Sequence, residues 1–312
     1  MKRLYHYPFI LLLTILEVIS LIGFECSWFT QNVLFKSDIY LTAVNDENIG
    51  QVIYDDLSET FTQFAMPTGI PAEVFIDTLD PAYLQQCAEK NIKDSIAYLT
   101  DPNAAKPQIE YDFSTIDQSI TSYIENYSDE NGIERDAQYQ KLLDNTIKVS
   151  HEQIEAKVDV LMLHQFSSGA VAPKCHKYSR YVGFLMLCTG VASIFFLLLI
   201  IITDIKHPRD LPYWLGTALM CSSAVLLIPS LYLKKTNYFD SFIIRNTNIY
   251  QSVTATLKAM LDNIIIFQYI VLLIGVCLFI LTIIIHFFFV RKVRKNASKT
   301  SREFEYDDDD ED

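Results

Sequence analysis

Residues 264–290 read IIIFQYIVLLIGVCLFILTIIIHFFFV, 27 positions without an Asp, Glu, Lys or Arg. A stretch of roughly 20 apolar residues, wound as a helix, crosses a bilayer core about 30 Å thick. No water inside that core satisfies peptide groups, so helix is the conformation such a stretch adopts. The run ends on Arg291, Lys292, Arg294 and Lys295. Working outward, three further runs have the same character. Pro8 to about Phe29 follows Lys2 and Arg3. Residues 181–203 read YVGFLMLCTGVASIFFLLLIIIT. Leu211 to Leu233 carries Tyr213 and Trp214 at one end, the place for interfacial aromatics. The sequence predicts four transmembrane helices.

Basic residues flanking the spans set the orientation. Lys2 and Arg3 put the N-terminus in the cytoplasm, and the Arg291 to Lys295 cluster puts the C-terminus there too. Residues 30–180 and 234–263 then lie outside the cell, and the short Asp204–Asp210 turn inside. Lys234 and Lys235 fall at an outer end and run against the rule. The first apolar run is followed by Gly23-Phe24-Glu25-Cys26-Ser27-Trp28, which lacks a small-x-small cleavage pattern, so it reads as an uncleaved signal anchor.

The 312 residues carry a formal net charge of -13, concentrated between the spans. Across residues 30–180 acidic side chains outnumber basic ones by about two to one, which argues against nucleic acid, whose phosphates need a basic footprint. Three cysteines, Cys188, Cys221 and Cys277, sit within spans, and Cys26 near an outer end. Cys87 and Cys175 are the remaining two, a possible disulfide that no spacing demands.

The outer region reads as helices. Ile49, Ile53, Leu57, Phe61 and Phe64 keep the three-to-four spacing of an amphipathic helix starting near Asp46 and ending at Pro67-Thr68-Gly69-Ile70-Pro71. A short turn of helix over Ala72–Leu79 follows. Asp80-Pro81 is a capping carboxylate before a first-turn proline, and Leu84, Ala88, Ile92, Ile96 and Leu99 supply that helix's inner face. Residues 101–114, with Pro102 and Pro107, read as loop. Helices are predicted over Thr115–Tyr127, with Ile116, Ile120, Ile124 and Tyr127 inward, and over Glu134–Gln165, with Leu143, Ile147, Ile154, Val158 and Leu161 inward. Ser167 to Pro173 makes a joint before the second span. Period-two alternation is nearly absent, so the fold class is all-α, with a soluble domain of about five helices and little or no sheet. In the second outer segment Ile249, Val253, Leu257 and Met260 recur at helical spacing, either as a helix on the bilayer surface or as a leg docked on the larger domain. The tail 291–312 turns from basic to the acidic run Asp307–Asp312 and reads as solvated and disordered.

The stretches Ala43-Val44-Asn45-Asp46-Glu47-Asn48 and Phe64-Ala65-Met66-Pro67-Thr68-Gly69-Ile70-Pro71-Ala72-Glu73-Val74-Phe75 carry a resemblance to a group of uncharacterised membrane proteins of Gram-positive bacteria. That group pairs an N-terminal anchor with an acidic helical ectodomain and a three-span C-terminal half. The resemblance implies a plasma-membrane location, and it carries over no activity and no functional residues.

One residue inside the spans stands out chemically. Glu17 lies near the middle of the first span, where an acidic group costs about 2.5–3.5 kcal/mol on insertion scales and each Leu, Ile or Val contributes about 0.3–0.6 in return. The nine Leu, Ile and Val residues around it contribute roughly 3–5 kcal/mol on that scale, so the span inserts with Glu17 facing the bundle in its neutral form. Matching spans by depth puts Thr189, Ser193, Ser222, Ser223, Gly275 and Cys277 near the same level. This intramembrane polar layer reads either as structural glue, a carboxyl hydrogen-bonded to hydroxyls, or as an ion or proton site. His286 lies a turn from the cytoplasmic end and reads as packed or snorkelling. His151-Glu152-Gln153-Ile154-Glu155 resembles half of a metalloprotease signature without its second histidine, so no metal site is assigned. Asn126-Tyr127-Ser128 fits the glycosylation pattern. No phosphate-loop, dinucleotide or nucleophile-elbow fingerprint appears, and no cofactor and no enzymatic activity are expected.

Two functional readings follow. The first is a non-enzymatic membrane protein, homo-oligomeric or not, whose ectodomain binds an envelope or membrane protein. The second is a subunit of a transport or permease complex using the site around Glu17. One span, a large outer domain and three spans is also the layout of FtsX-like permeases, although the Asp204–Asp210 turn is too short for the coupling helix of that family.

Overall fold

The computed structural model describes residues 2–107, 111–205 and 208–307. Among these residues the chain is all helical, with no strand. Eleven α-helices run α1 Lys2–Phe29, α2 Asp38–Asp46, α3 Ile49–Thr68, α4 Glu73–Ile76, α5 Pro81–Thr100, α6 Ser114–Asn131, α7 Ala137–Val158, α8 Leu163–Ser168, α9 Ala172–Thr203, α10 Leu211–Lys235 and α11 Thr247–Asp307. A π-helical turn, Thr30–Leu34, continues α1, and a 3-10 turn, Tyr238–Ser241, precedes α11. The chain divides into a membrane unit, Met1–Trp28 with Gly183–Tyr232 and Asn263–Asp312, and a soluble unit, Phe29–Val182 with Leu233–Asp262.

The membrane unit contains stretches of α1, α9, α10 and α11, the four helices long and apolar enough to cross a bilayer. Their outward faces are predominantly apolar: Ile19, Phe184, Leu187, Ile194, Ile228, Leu273 and Phe288 are all exposed. Water would not tolerate such a continuous surface, and lipid is the solvent that does. The chain is a multi-pass integral membrane protein. Inside the bundle Ile10, Leu13, Ile200 and Trp214 form a small apolar cluster. Trp28 stacks on Phe267 at 4.9 Å. Trp214, expected at the interface with Tyr213, is buried and tilts against Tyr7. Pro229 sits within α10 without ending it.

The soluble unit is built on the α3–α5 pair. Ile49, Ile53, Leu57 and Phe61 on α3 and Leu84, Ala88 and Ile92 on α5 are completely enclosed, with Phe61 stacked on Phe75 of α4 at 4.7 Å. The helices meet closely at Gly50, where any side chain would collide with the Pro81 carbonyl and Gln85. The amide of Gly50 instead donates to Gln85 Oε1 at 2.7 Å. Asp80 caps α5 by accepting from the Ala82 amide, and Asp136 caps α7 by accepting from Gln138 and Tyr139.

Several elements differ from the periodicity reading. The long helix predicted over Glu134–Gln165 is two helices, α7 and α8, broken at Asp159–Met162. Asp159 there accepts from the His164 amide and from Asn91 of α5, and Met162 adopts a left-handed backbone, φ 55°. Tyr127 is exposed and Ser128 takes its place inward, donating to the Ile133 carbonyl, because the i, i+4 row from Ile116 to Ile124 continues to 128. The glycosylation pattern at Asn126 therefore lies on a helix with its serine buried. The second outer segment is the start of α11, and it docks on the larger domain: Asn248 Nδ2 donates to Asp56 Oδ2 of α3 at 2.8 Å. The face it buries is polar, with Asn248, Ser252, Thr254 and Thr256 enclosed and Ile249, Val253, Leu257 and Met260 only half-buried. The tail expected to be disordered after Val290 continues α11 to Asp307, since no Gly or Pro between 291 and 307 stops the helix. The rest of the acidic run, 308–312, lies outside the described residues.

Candidate functional site

The bundle interior holds two carboxylates, both supplied by α1. Glu17 is 2% exposed and Glu25 is 3% exposed. Eight residues separate them, which is about 12 Å along a helix rising 1.5 Å per residue. They lie at two levels, each with its own partners.

At the first level Ser193 of α9 donates its Oγ proton to Glu17 Oε1 at 2.7 Å. The other oxygen, Oε2, is buried and has no hydrogen-bond partner. At the second level Ser222 of α10 donates to Glu25 Oε1 at 3.0 Å, and Gln268 of α11 donates its Nε2 proton to Glu25 Oε2 at 3.2 Å. Ser222 and Gln268 are enclosed, and the Gln268 carbonyl oxygen is unpartnered. Neither carboxylate has a basic partner among the described residues.

The single polar layer read from span midpoints is therefore two. Ser193 meets Glu17, whereas Ser222 belongs to Glu25. Thr189 turns its hydroxyl back to the Leu185 and Met186 carbonyls, and its methyl packs where Gly23 leaves room. Ser223 donates to the Met220 carbonyl. Cys277 is exposed on the bundle surface. Midpoints of apolar runs do not fix helix register: α9, for one, begins at Ala172, nine residues before the apolar run read as its span. Glu25, weighed only as part of a cleavage pattern, and Gln268, passed over inside the fourth span, are the groups that reading missed. The signal was available, as both are strongly polar groups within uninterrupted apolar helix.

His286 is exposed on the bundle surface and lines an open groove with Tyr213, Phe279 and Phe287. It stays apart from Glu17, as no contact links them among the described residues. Arg209 stacks over the Phe289 ring at 3.6 Å, a cation–π contact at that end of the bundle.

In the soluble unit His151 points to Asp117 of α6, with Nε2 2.6 Å from the carboxylate, and stacks on Phe113 at 3.8 Å. It is engaged across helices, and among the described residues no three His, Cys, Asp or Glu side chains gather in a metal-holding group. A cavity of about 200 Å³ beside it is lined by Thr78, Asp80, Tyr83, Asp112 and Thr115. Hydrogen bonds from the Ser114 hydroxyl and amide hold the Asp112 carboxyl below the usual carboxylate range. Cys87 and Cys175 are free thiols, so the possible disulfide is not formed in this structure. Cys87 is buried on α5, and burial pushes its thiol up.

No protein-family model, no curated protein and no solved structure matches the chain.

Proposed function

We propose that this chain is the membrane subunit of a transport or permease complex, with Glu17 at its working site. The observation that carries this is the half-satisfied carboxyl: one oxygen takes a hydroxyl from a second helix, and the other is buried with no partner. A group kept only to hold helices together has no use for an unpaired acceptor in a medium that penalises one by several kcal/mol. A carboxyl that picks up and releases a proton or cation does. Intramembrane acids facing a bundle interior mark such pathways.

In this reading the basic flanks at Lys2, Arg3 and Arg291 to Lys295 hold both termini in the cytoplasm of a plasma membrane. The soluble unit faces the outside, where it meets the solute or a partner subunit. The chemistry is binding and release, with no covalent step and no resident cofactor. An ectodomain that binds an envelope protein ranked first on sequence. The organised carboxylate levels reverse that order.

The test is reconstitution in liposomes loaded with a pH-sensitive dye and driven by a potassium diffusion potential. Wild-type protein is expected to pass protons, and Glu17→Gln to lose that flux while eluting as the same species in detergent. Unchanged flux in Glu17→Gln would return the carboxyl to a structural role. Crosslinking in intact cells would then decide whether an envelope protein is the partner.

A further inference from the structure

We propose that Glu25, Ser222 and Gln268 form a second intramembrane site, which holds a sodium ion in exchange for a proton. Three helices each contribute one group: Glu25 from α1, Ser222 from α10 and Gln268 from α11, all 3% exposed or less. Both Glu25 oxygens accept hydrogen bonds. Each of those bonds takes one lone pair of an ionised carboxylate, leaves another free on the same oxygen and brings no positive charge, so in that form a full negative charge remains in an apolar surrounding. Such a charge persists only with a counter-charge beside it.

The Gln268 carbonyl oxygen points to what supplies that charge. It is buried, unpartnered, and belongs to an amide already bound to Glu25 through its nitrogen. A small cation between the two side chains neutralises Glu25 and gives that oxygen a partner in one step. The ligand set consists of carboxylate, hydroxyl and amide oxygens, hard donors that suit alkali and alkaline-earth ions and not thiophilic metals. One carboxylate balances one positive charge, so a monovalent ion leaves the site neutral and a divalent ion does not.

The same side chains also hold a proton. The oxygen and nitrogen of a glutamine amide exchange places by a half-turn about its last torsion. After that turn the Gln268 carbonyl accepts from a protonated Glu25. The exchange balances as Glu25–COOH plus Na⁺ giving Glu25–COO⁻·Na⁺ plus H⁺, with no other reactant. Among the described residues Glu17 has one hydroxyl partner and no amide partner, so it is a proton site without the oxygens to hold sodium. This deepens the transport reading and rests on it for net movement, while binding at Glu25 stands alone.

The experiment is carbodiimide labelling of the full-length protein in detergent, read by mass spectrometry of the Glu17 and Glu25 peptides. Such reagents attack buried protonated carboxyls. In mildly acidic buffer both glutamates are expected to label. Sodium chloride, against choline chloride at equal ionic strength, should slow Glu25 by about tenfold once sodium exceeds its dissociation constant by that factor, and leave Glu17 unchanged. Gln268→Leu should remove the sodium protection. If that variant does not assemble, Ser222→Ala, which deletes one oxygen, should raise the sodium needed for half-protection. Equal Glu25 labelling with and without sodium would overturn the proposal, as would no labelling of Glu25 at all or sodium protection equal at both glutamates. Loss of proton flux in Glu17→Gln bears on the transport reading alone, so the two fail separately.

Discussion

Gly216 and Gly275 bring α10 and α11 into backbone contact. A Cβ at Gly216 would lie 2.8 Å from the Gly275 carbonyl oxygen, and one at Gly275 would lie 3.0 Å from the Gly216 oxygen. Small residues that let helices approach in this way drive packing in lipid, where no hydrophobic difference favours association. The approach also positions the helices that carry Ser222 and Gln268.

Gly216→Val is therefore expected to lower the stability of the detergent-solubilised protein by about 1–3 kcal/mol, the range for overpacking a tight contact. The two nearest neighbours of the new side chain, the Gly275 oxygen and the Phe279 nitrogen, are backbone atoms that cannot swing aside. A thermal melt followed by helix content checks this, and a melting temperature equal to that of the native protein would show that the helices separate freely.

The Ser193–Glu17 hydrogen bond spans 176 residues of chain. A double-mutant cycle with Ser193→Ala and Glu17→Leu, each of which removes the bond, isolates it. Interhelical hydrogen bonds in membranes average about 0.6 kcal/mol and reach about 1.7 kcal/mol, so a coupling energy inside that interval is expected from unfolding in mixed micelles. A coupling of zero would mean that the two side chains do not meet in solution.

The spans were legible because each is a long run of one chemical character, and α3 and α5 because Ile49 to Phe61 and Leu84 to Leu99 repeat at 3.6 residues. Periodicity reports which face is apolar and leaves its partner unnamed. It marked Ile249, Val253, Leu257 and Met260 as the apolar stripe of a surface helix or a docked leg, whereas the residue drawn in by Asp56, 192 residues away, is Asn248. It ran one helix through Asp159, where a side chain bonded to Asn91 and to the His164 amide breaks the chain's course. For the same reason it found Glu17 alone: which polar groups converge is set by helix packing, and Glu25 with Gln268 lie 243 residues apart.

Alkaline pH should weaken the soluble unit through Tyr40. Burial pushes its phenol up to about 12, against about 10 in an unfolded chain. The folded state therefore holds the proton more tightly. Its advantage is complete below about pH 10 and is lost as pH climbs towards 12. Burial pushes Tyr111 upward too. Tyr40→Phe removes the titrating group along with its 2.7 Å bond to the Leu34 carbonyl. The variant should start about 1 kcal/mol less stable and lose less on going alkaline. Denaturant melts across that window check this, and parallel curves for both proteins would show that Tyr40 is not what titrates.

Asp56 is where α3, α7 and α11 are tied together. One of its oxygens, Oδ2, accepts from Asn248 at 2.8 Å and from Lys157 at 2.7 Å. The Asp56 and Lys157 side chains keep 20% and 18% exposure, respectively, so the pair is neither a free surface bridge nor fully sealed. Asp56→Ala is expected to cost about 2 kcal/mol, between those two limits, because it strands the Lys157 ammonium as well as removing its partner. Asn248→Ala leaves the ion pair standing and should cost about 1 kcal/mol. The ranking discriminates more sharply than either magnitude. If limited proteolysis of the intact protein opened the start of α11 equally in both variants, the amide bond alone would be holding that helix to the soluble unit. Earlier cleavage in Asp56→Ala would assign the hold to the shared carboxylate.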